Sequence, residues 1–419
     1  MTGFIEYLAT ALFALAVIHT FSVPVFARLA NKGGPHAGMW HLLSEVEAVF
    51  GVWAAVLVAC MVLFSGVGSA VAYVDSANFT EPAFVFAIMV VAASRPIIEL
   101  VNILVKAIAR VLPMRRELAM YFTILSIVPL AGSFITEPAA MTLAALLLRD
   151  AYFQRSEQAG FKYLTIGVLF VNVSIGGVLT AYAAPPVLMV ASTFGWDTAY
   201  MATHFGWRAV VAVFISASAV TLVCRKHLLD GTIGPVESAD RRPPVPPVFM
   251  AIHVAFLIAI VLAAHHISIF MGLLLLFVGF AHAYSRHQNP LLIREGLMVG
   301  FFLAGLVVLG GLQKWWLQDL LGGLSPMVLY WGSMALTAVT DNAALTYLGS
   351  LVDGTSETWR YMLVAGAVTG GGLTVIANAP NPAGFTILKS CFPDGAISPL
   401  KLLGAALPPT LVAAVMFLI

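Results

Sequence analysis

Two short segments of this chain place a carboxylate inside otherwise apolar sequence, and they are near-copies of each other. Thr136-Glu137-Pro138-Ala139-Ala140-Met141-Thr142 recurs as Thr340-Asp341-Asn342-Ala343-Ala344-Leu345-Thr346. An ionisable side chain deep in a bilayer costs about 3 kcal/mol or more unless it is paired, solvated or neutralised, so it is a functional candidate by default. A carboxyl group in low dielectric is neutralised by a proton or by a bound cation, and the two compete for one group. The chemistry that follows is exchange of a cation against protons. The bland alternative is a carboxylate that only caps a helix N-terminus.

Each copy has a sequel. Gly176-Gly177-Val178-Leu179-Thr180, followed by Ala183-Ala184-Pro185-Pro186, is matched by Gly370-Gly371-Gly372-Leu373-Thr374, followed by Ala377-Asn378-Ala379-Pro380. Proline removes backbone donors and leaves carbonyls unpaired upstream, so Pro185-Pro186 and Pro380-Asn381-Pro382 predict broken helices with oxygens free for a hard cation. The carbonyls of 181–184 and 376–379 are expected to aim at that cation, with Asn378 and Asn342 facing each other. Glu137, Asp341, Asn342 and Asn378 are the residues expected to hold sodium, with Thr136, Thr340, Ser174, Asn172, Thr369 and Asn381 as further oxygen donors. The glycines allow close helix approach.

Other polar groups read as structural. Arg95 and Glu99, four apart beside Pro96, form a mutually neutralising pair within one crossing. His19, His253 and His282 read as packed, hydrogen-bonded residues, and Glu45, Glu47, Arg294 and Glu295 as water-facing helix starts. The thiols Cys60, Cys224 and Cys391 form no metal or disulfide pattern.

The elements that position these residues are membrane elements. With 60% hydrophobic and 10% charged residues in 419, and a mean hydropathy of +0.95, the chain has too little polar surface for a soluble globule. Its net charge of +1 gives no footprint for a nucleic-acid partner. Apolar runs over 3–27, 46–67, 83–106, 162–193, 200–224, 248–264, 267–284, 294–313, 361–389 and 402–419 predict about ten crossings. The first, Ile5 to Phe26, lacks a preceding basic region and reads as a retained helix rather than a signal peptide.

Two further runs, 117–149 and 325–352, are each interrupted by the carboxylate motif. Lys106, Arg110, Arg115 and Arg116 before the first, and Arg149, Arg155 and Lys162 after it, put both its ends on the cytoplasmic side. Lys314, Asp319, Asp353, Glu357, Arg360 and the interfacial pair Trp315 and Trp316 put both ends of the second outside. These are two re-entrant hairpins of opposite orientation. The expected fold is an all-α polytopic membrane protein of two inverted repeats, 1–224 and 248–419, joined by a cytoplasmic linker at 225–247 carrying Arg241 and Arg242. The hairpins are 117–149 and 325–352, and the broken helices 162–193 and 361–389.

These motifs resemble the ion transporter superfamily, and in particular its arsenite permease and NhaD-type sodium/proton antiporter branch. The resemblance runs from about Ala83 to Lys389. It rests on Gly300 to Leu312 followed by Leu336 to Thr346, whose Asp-Asn pair marks a hairpin tip, and on Ser174-Ile175-Gly176-Gly177 with Pro185-Pro186. It implies an elevator-type transporter, a homodimer with a scaffold domain and a mobile transport domain. Glu137-Pro138 replaces the branch's Asp-Asn, and Val187 its signature asparagine, so Asp341 is expected to matter more than Glu137.

Sodium/proton antiport across a bacterial-type cytoplasmic (inner) membrane is therefore the leading expectation. The alternative is sodium-coupled symport of a small organic or inorganic anion, and a third reading is a non-transporting scaffold. Intramembrane carboxylates repel an anionic substrate, and no arginine converges on the broken segments to anchor one. The partners expected are the lipid bilayer and an inorganic cation, with no cofactor beyond sodium and protons as the transported ions. No nucleophile-base pairing or metal-ligand spacing points to an enzyme.

Overall fold

The computed structural model describes residues 3–230, 243–392 and 395–419, and the described residues are helical with no strand. Most of the expected linker, 231–242 with Arg241 and Arg242, lies outside them. The chain opens with α1 (Gly3–Asn31), the short α2 (Ala37–Leu43) and α3 (Val46–Ser65). Gly66, at φ +84°, takes a left-handed turn available to glycine without steric cost and leads into α4 (Val67–Ser76). α4 and α5 (Thr80–Ala92) form a pair bent by 60°.

The run 83–106 is not one crossing. α5 ends at Ala92, and α6 (Arg95–Val111) starts afresh after Ser94. The ring of Pro96 clashes with a helical carbonyl four residues earlier and disfavours helix in the residue before it, so the helix stops there. α6 buries one stripe, Ile97, Val101, Val105 and Ala109, against the fold. Arg95 and Glu99 pair within α6 at 3.6 Å, but they also grip the segment entering the second half. Arg95 Nη2 donates to Pro243 O at 2.9 Å, and Glu99 Oε1 accepts from Val245 N at 3.0 Å. Replacing both with glutamine should lower thermal stability by about 1–3 kcal/mol, the usual worth of a buried hydrogen bond to a charged group, and leave transport per folded protein unchanged. Unfolding followed in detergent, beside flux per mole of folded protein, checks this.

Next come α7 (Arg116–Ile135) and α8 (Glu137–Ala151), which fold back on each other. Tyr152 Oη, just past α8, donates to Glu117 O at the start of α7 at 2.9 Å, and a Cβ on Gly132 would lie 3.2 Å from that of Ala140. α9 (Ala159–Gly176) runs parallel to α7: Tyr121 meets Thr165, Asn172 meets Leu125, and Ser133 Oγ donates to Gly176 O. After an irregular break, α10 (Pro185–Phe194) continues the crossing. α11 (Thr198–Met201), a π-turn and α12 (Trp207–Val223) make one continuous rod, followed by α13 (Arg225–Leu228).

The second half opens with α14 (Pro247–Leu262), α15 (Ile267–Ala283), α16 (Ile293–Gly310) and α17 (Lys314–Leu321). Then α18 (Pro326–Thr337), α19 (Asn342–Ser350) and α20 (Glu357–Gly370) reproduce the relation of α7, α8 and α9. Gly366 abuts Tyr330 and Gly370 abuts Met334, so α18 and α20 run parallel; Gly349 abuts Leu363 and Gly371 abuts Asn342, so α19 runs back. α21 (Asn381–Leu388) resumes after a break, and α22 (Pro399–Leu418) closes the chain.

Among the described residues, seven helices are long and apolar enough to cross a membrane, or eight with the bent pair, and α14 and α15 are shorter apolar helices. The chain is a multi-pass membrane protein. Helices from both halves interleave: α16 packs on α3 and α5, and α22 on α9 and α12. A Cβ on Gly305 would run into the backbone of Phe50 and Gly51, and one on Gly167 into that of Ala405, so both crossings depend on missing side chains.

Candidate cation site

At the first tip the chain reverses through Thr136, the one described non-glycine residue with positive φ (+70°). This turn delivers Glu137 and Pro138 into the first turn of α8, where the helix N-terminus favours negative charge. Glu137 is fully buried. Its Oε2 accepts from Asn378 Nδ2 at 2.9 Å, and its Oε1 has no partner. Gly177 lies against the carboxylate so closely that a Cβ there would collide with Oε1 and Cγ. Among the described residues no basic side chain pairs with Glu137.

The second tip is built differently. Asp341 is the N-cap of α19, its Oδ1 accepting from Ala343 N at 2.8 Å and Ala344 N at 3.2 Å. It is only partly buried, and it lines a cavity of about 220 Å³ between the tip and helices α1, α3 and α16. Asn342 is fully buried. Its backbone N–H donates to Ala377 O at 3.1 Å, while both atoms of its side-chain amide are unpartnered. A Cβ on Gly371 would run into Asn342 Nδ2 and Ser174 Oγ, which places these side chains together.

The break between α20 and α21 is held by Asn381, whose Nδ2 donates to Gly371 O at 2.7 Å and Thr374 O at 2.8 Å. Its Oδ1 is left over, as is Asn378 Oδ1. Glu137 Oε1 thus shares its buried, unpartnered state with oxygens of Asn378, Asn342, Asn381 and Thr136, drawn from both tips and the second break, and Asn378 ties that break to Glu137. Buried polar atoms are nearly always paired, so a group of orphans this dense reads as a place for a ligand.

Several of the expected oxygen donors also tie helices together through their hydrogens, which leaves the oxygen lone pairs available to a cation. Ser174 Oγ donates to Val368 O and Thr340 Oγ1 to Leu336 O, while Thr369 Oγ1 donates to Ala365 O and meets Tyr330 Oη. Asn172 Nδ2 ties α9 to Leu125 of α7 and Val213 of α12, while its Oδ1 is buried and unpartnered. Three of the eight expected carbonyls accept backbone hydrogen bonds. Ala184 O accepts from Val187 and Leu188, Ala377 O from Asn342, and Asn378 O from Asn381. The Asn378 amide donates to Glu137 rather than to Asn342.

One residue read as water-facing is not. Glu47, in the first turn of α3, lines the 220 Å³ cavity with Asp341 and Asn378, and also a neighbouring cavity of about 160 Å³ with Thr136, Glu45, Arg294 and Glu295. The sequence carried a signal: Glu47 is in phase with Phe50, Ala54, Leu57 and Met61, the buried stripe of α3. Trp316 also lines the larger cavity. His19 and His253 are hydrogen-bonded, to Leu43 O and Phe249 O, and His282 is exposed.

A family model described as "Putative Na+/H+ antiporter" matches residues 4–419 of the chain. A search of curated proteins finds no match.

Proposed function

The chain belongs to this Na+/H+ antiporter family, and is therefore a transporter and not an enzyme; on that premise we propose that Glu137 carries sodium and protons in alternation. The observation that carries the reading is the buried Glu137 carboxylate, without a basic partner and held by Asn378, together with the unpartnered oxygens of Thr136, Asn342, Asn378 and Asn381 on the two tips and the second break. An unneutralised carboxylate there costs too much to move through the membrane, whereas a protonated or sodium-bound one does not. Exchange is then obligatory: the site changes sides only when loaded, and one ligand leaves as the other arrives. The four neutral side chains supply hard oxygens of the kind sodium takes.

The wider reading is an elevator-type member of the ion transporter superfamily, with two inverted repeats and two re-entrant hairpins, working as a homodimer in a bacterial-type inner membrane. Supporting it are the parallel packing of α7 on α9 and of α18 on α20, and the glycine contacts beside each tip. The hairpins, broken helices, α12 and α22 would move against α1, α3, α5 and α14 to α16. Sodium pulsed onto vesicles containing the protein and a trapped pH dye should drive protons outward as sodium enters. Flux that requires an added dicarboxylate, or a pH response that never needs sodium, would overturn the proposal.

A further inference from the structure

We propose a second site for a small monovalent cation, formed by Glu47 of α3 and Asp341 at the second hairpin tip, distinct from the one at Glu137. It rests on the antiport reading above. The 220 Å³ cavity contains both carboxylates, and no lysine or arginine lines it. Asp341 keeps Oδ1 on its own helix cap, leaving its second oxygen uncommitted to that cap. Glu47 makes no ion pair among the described residues. The nearest basic group, Arg294, is engaged with Glu45 at 2.7 Å on the wall of the neighbouring cavity.

Two like charges that line one apolar cavity repel. A cation between them removes that cost; nothing else lining the cavity does. A second observation points the same way. Asn378, 1% exposed with its Oδ1 unpartnered, lines this cavity as well.

The position of Glu47 gives the site its role. The two cavities share Glu47, Val299 and Ala379, so Glu47 is the one charged side chain common to both. The second cavity reaches Thr136 at the first tip and opens beside Glu45, Arg294 and Glu295. An ion in this second cavity has Glu47 and the first tip within the same walls. Because Glu47 sits on a helix packed with α1 and α16 while Asp341 sits on the hairpin, the site is complete only when that tip faces α3. It is a transfer station, filled and emptied as the hairpin moves.

The test is binding of radioactive sodium to the purified full-length protein in detergent, with thermal unfolding in sodium and in choline chloride. Wild type should bind one more sodium ion per chain than Glu47→Gln, and sodium should raise the melting temperature of Glu47→Gln less than that of wild type. In choline the variant should melt no lower than wild type, because a repulsive charge has gone; a merely structural glutamate would lower it. Glu47→Asp retains the charge with shorter reach, and should weaken the extra site about tenfold, or 1.4 kcal/mol. Equal sodium binding by wild type and Glu47→Gln overturns the inference, as does unchanged affinity in Glu47→Asp should Glu47→Gln not survive purification. Either result leaves the Glu137 reading standing if Glu137→Gln loses its own sodium ion. A wild type that binds no sodium removes both.

Discussion

Glu137→Gln should abolish sodium-driven proton flux, by about a hundredfold or more, equivalent to roughly 2.7 kcal/mol. Glutamine has nearly the shape of glutamate, and its amide oxygen can still accept from Asn378, so the tip should fold as before. What it cannot do is alternate between a protonated and a charged form. The unpartnered oxygens of Asn342, Asn378 and Asn381 would then face a neutral group, and the main source of cation affinity is gone. Asp341→Asn should act less severely, by about tenfold. Asparagine caps helices as well as aspartate does, so the contacts to Ala343 and Ala344 survive while a flanking charge is lost. The double variant should be no worse than Glu137→Gln alone. Flux measured in vesicles at matched protein levels decides it: wild-type exchange in Glu137→Gln would show that the exchanging proton sits elsewhere.

Gly371→Ala should cost about 1–3 kcal/mol in stability and nearly all transport, as added volume does in a closely packed interior. Its Cβ would collide with Ser174 Oγ and Asn342 Nδ2, so either α9 and α20 separate or the second tip shifts away from Glu137. Neither leaves Asn342 beside the other oxygen donors. Gly404, on α22, is the control, because a Cβ there meets nothing within 4 Å. Gly404→Ala should be neutral or slightly stabilising, since alanine is the better helix former. Melting temperature and flux for the two alanine variants provide the comparison. Matching behaviour would mean that close approach at Gly371 has no part in forming the site.

What could be read from the residues alone was whatever depends on near neighbours in the chain. Low charge and long apolar runs forced a membrane protein, because no soluble packing could hide that surface. The prolines marked where helices resume, with α8 starting at Glu137, α10 at Pro185 and α21 at Asn381, whereas the glycines at the ends of α9 and α20 were read only as points of close approach. These are local backbone properties. Even the end of α5 was written in Pro96, although the hydrophobicity of 83–106 hid it.

What only the tertiary structure decided was which polar groups stay unsatisfied. Asn378 finds its partner 241 residues away, and that one bond makes Glu137 the buried carboxylate at the centre of the candidate site. The similar motif at Asp341 is turned instead into a helix cap beside a cavity. Thr340, Ser174 and Thr369 have the right chemistry, and the carbonyls to which their hydroxyls donate set which way the oxygen lone pairs point. Glu47 looked like a water-facing helix start and became a cavity wall once α16 and the second hairpin were packed around it. A residue's type states what it can bind, but in low dielectric every polar atom first takes the nearest available partner. Which atoms remain free for an ion is therefore set by segments distant in the chain, and only the packed helices bring those segments together.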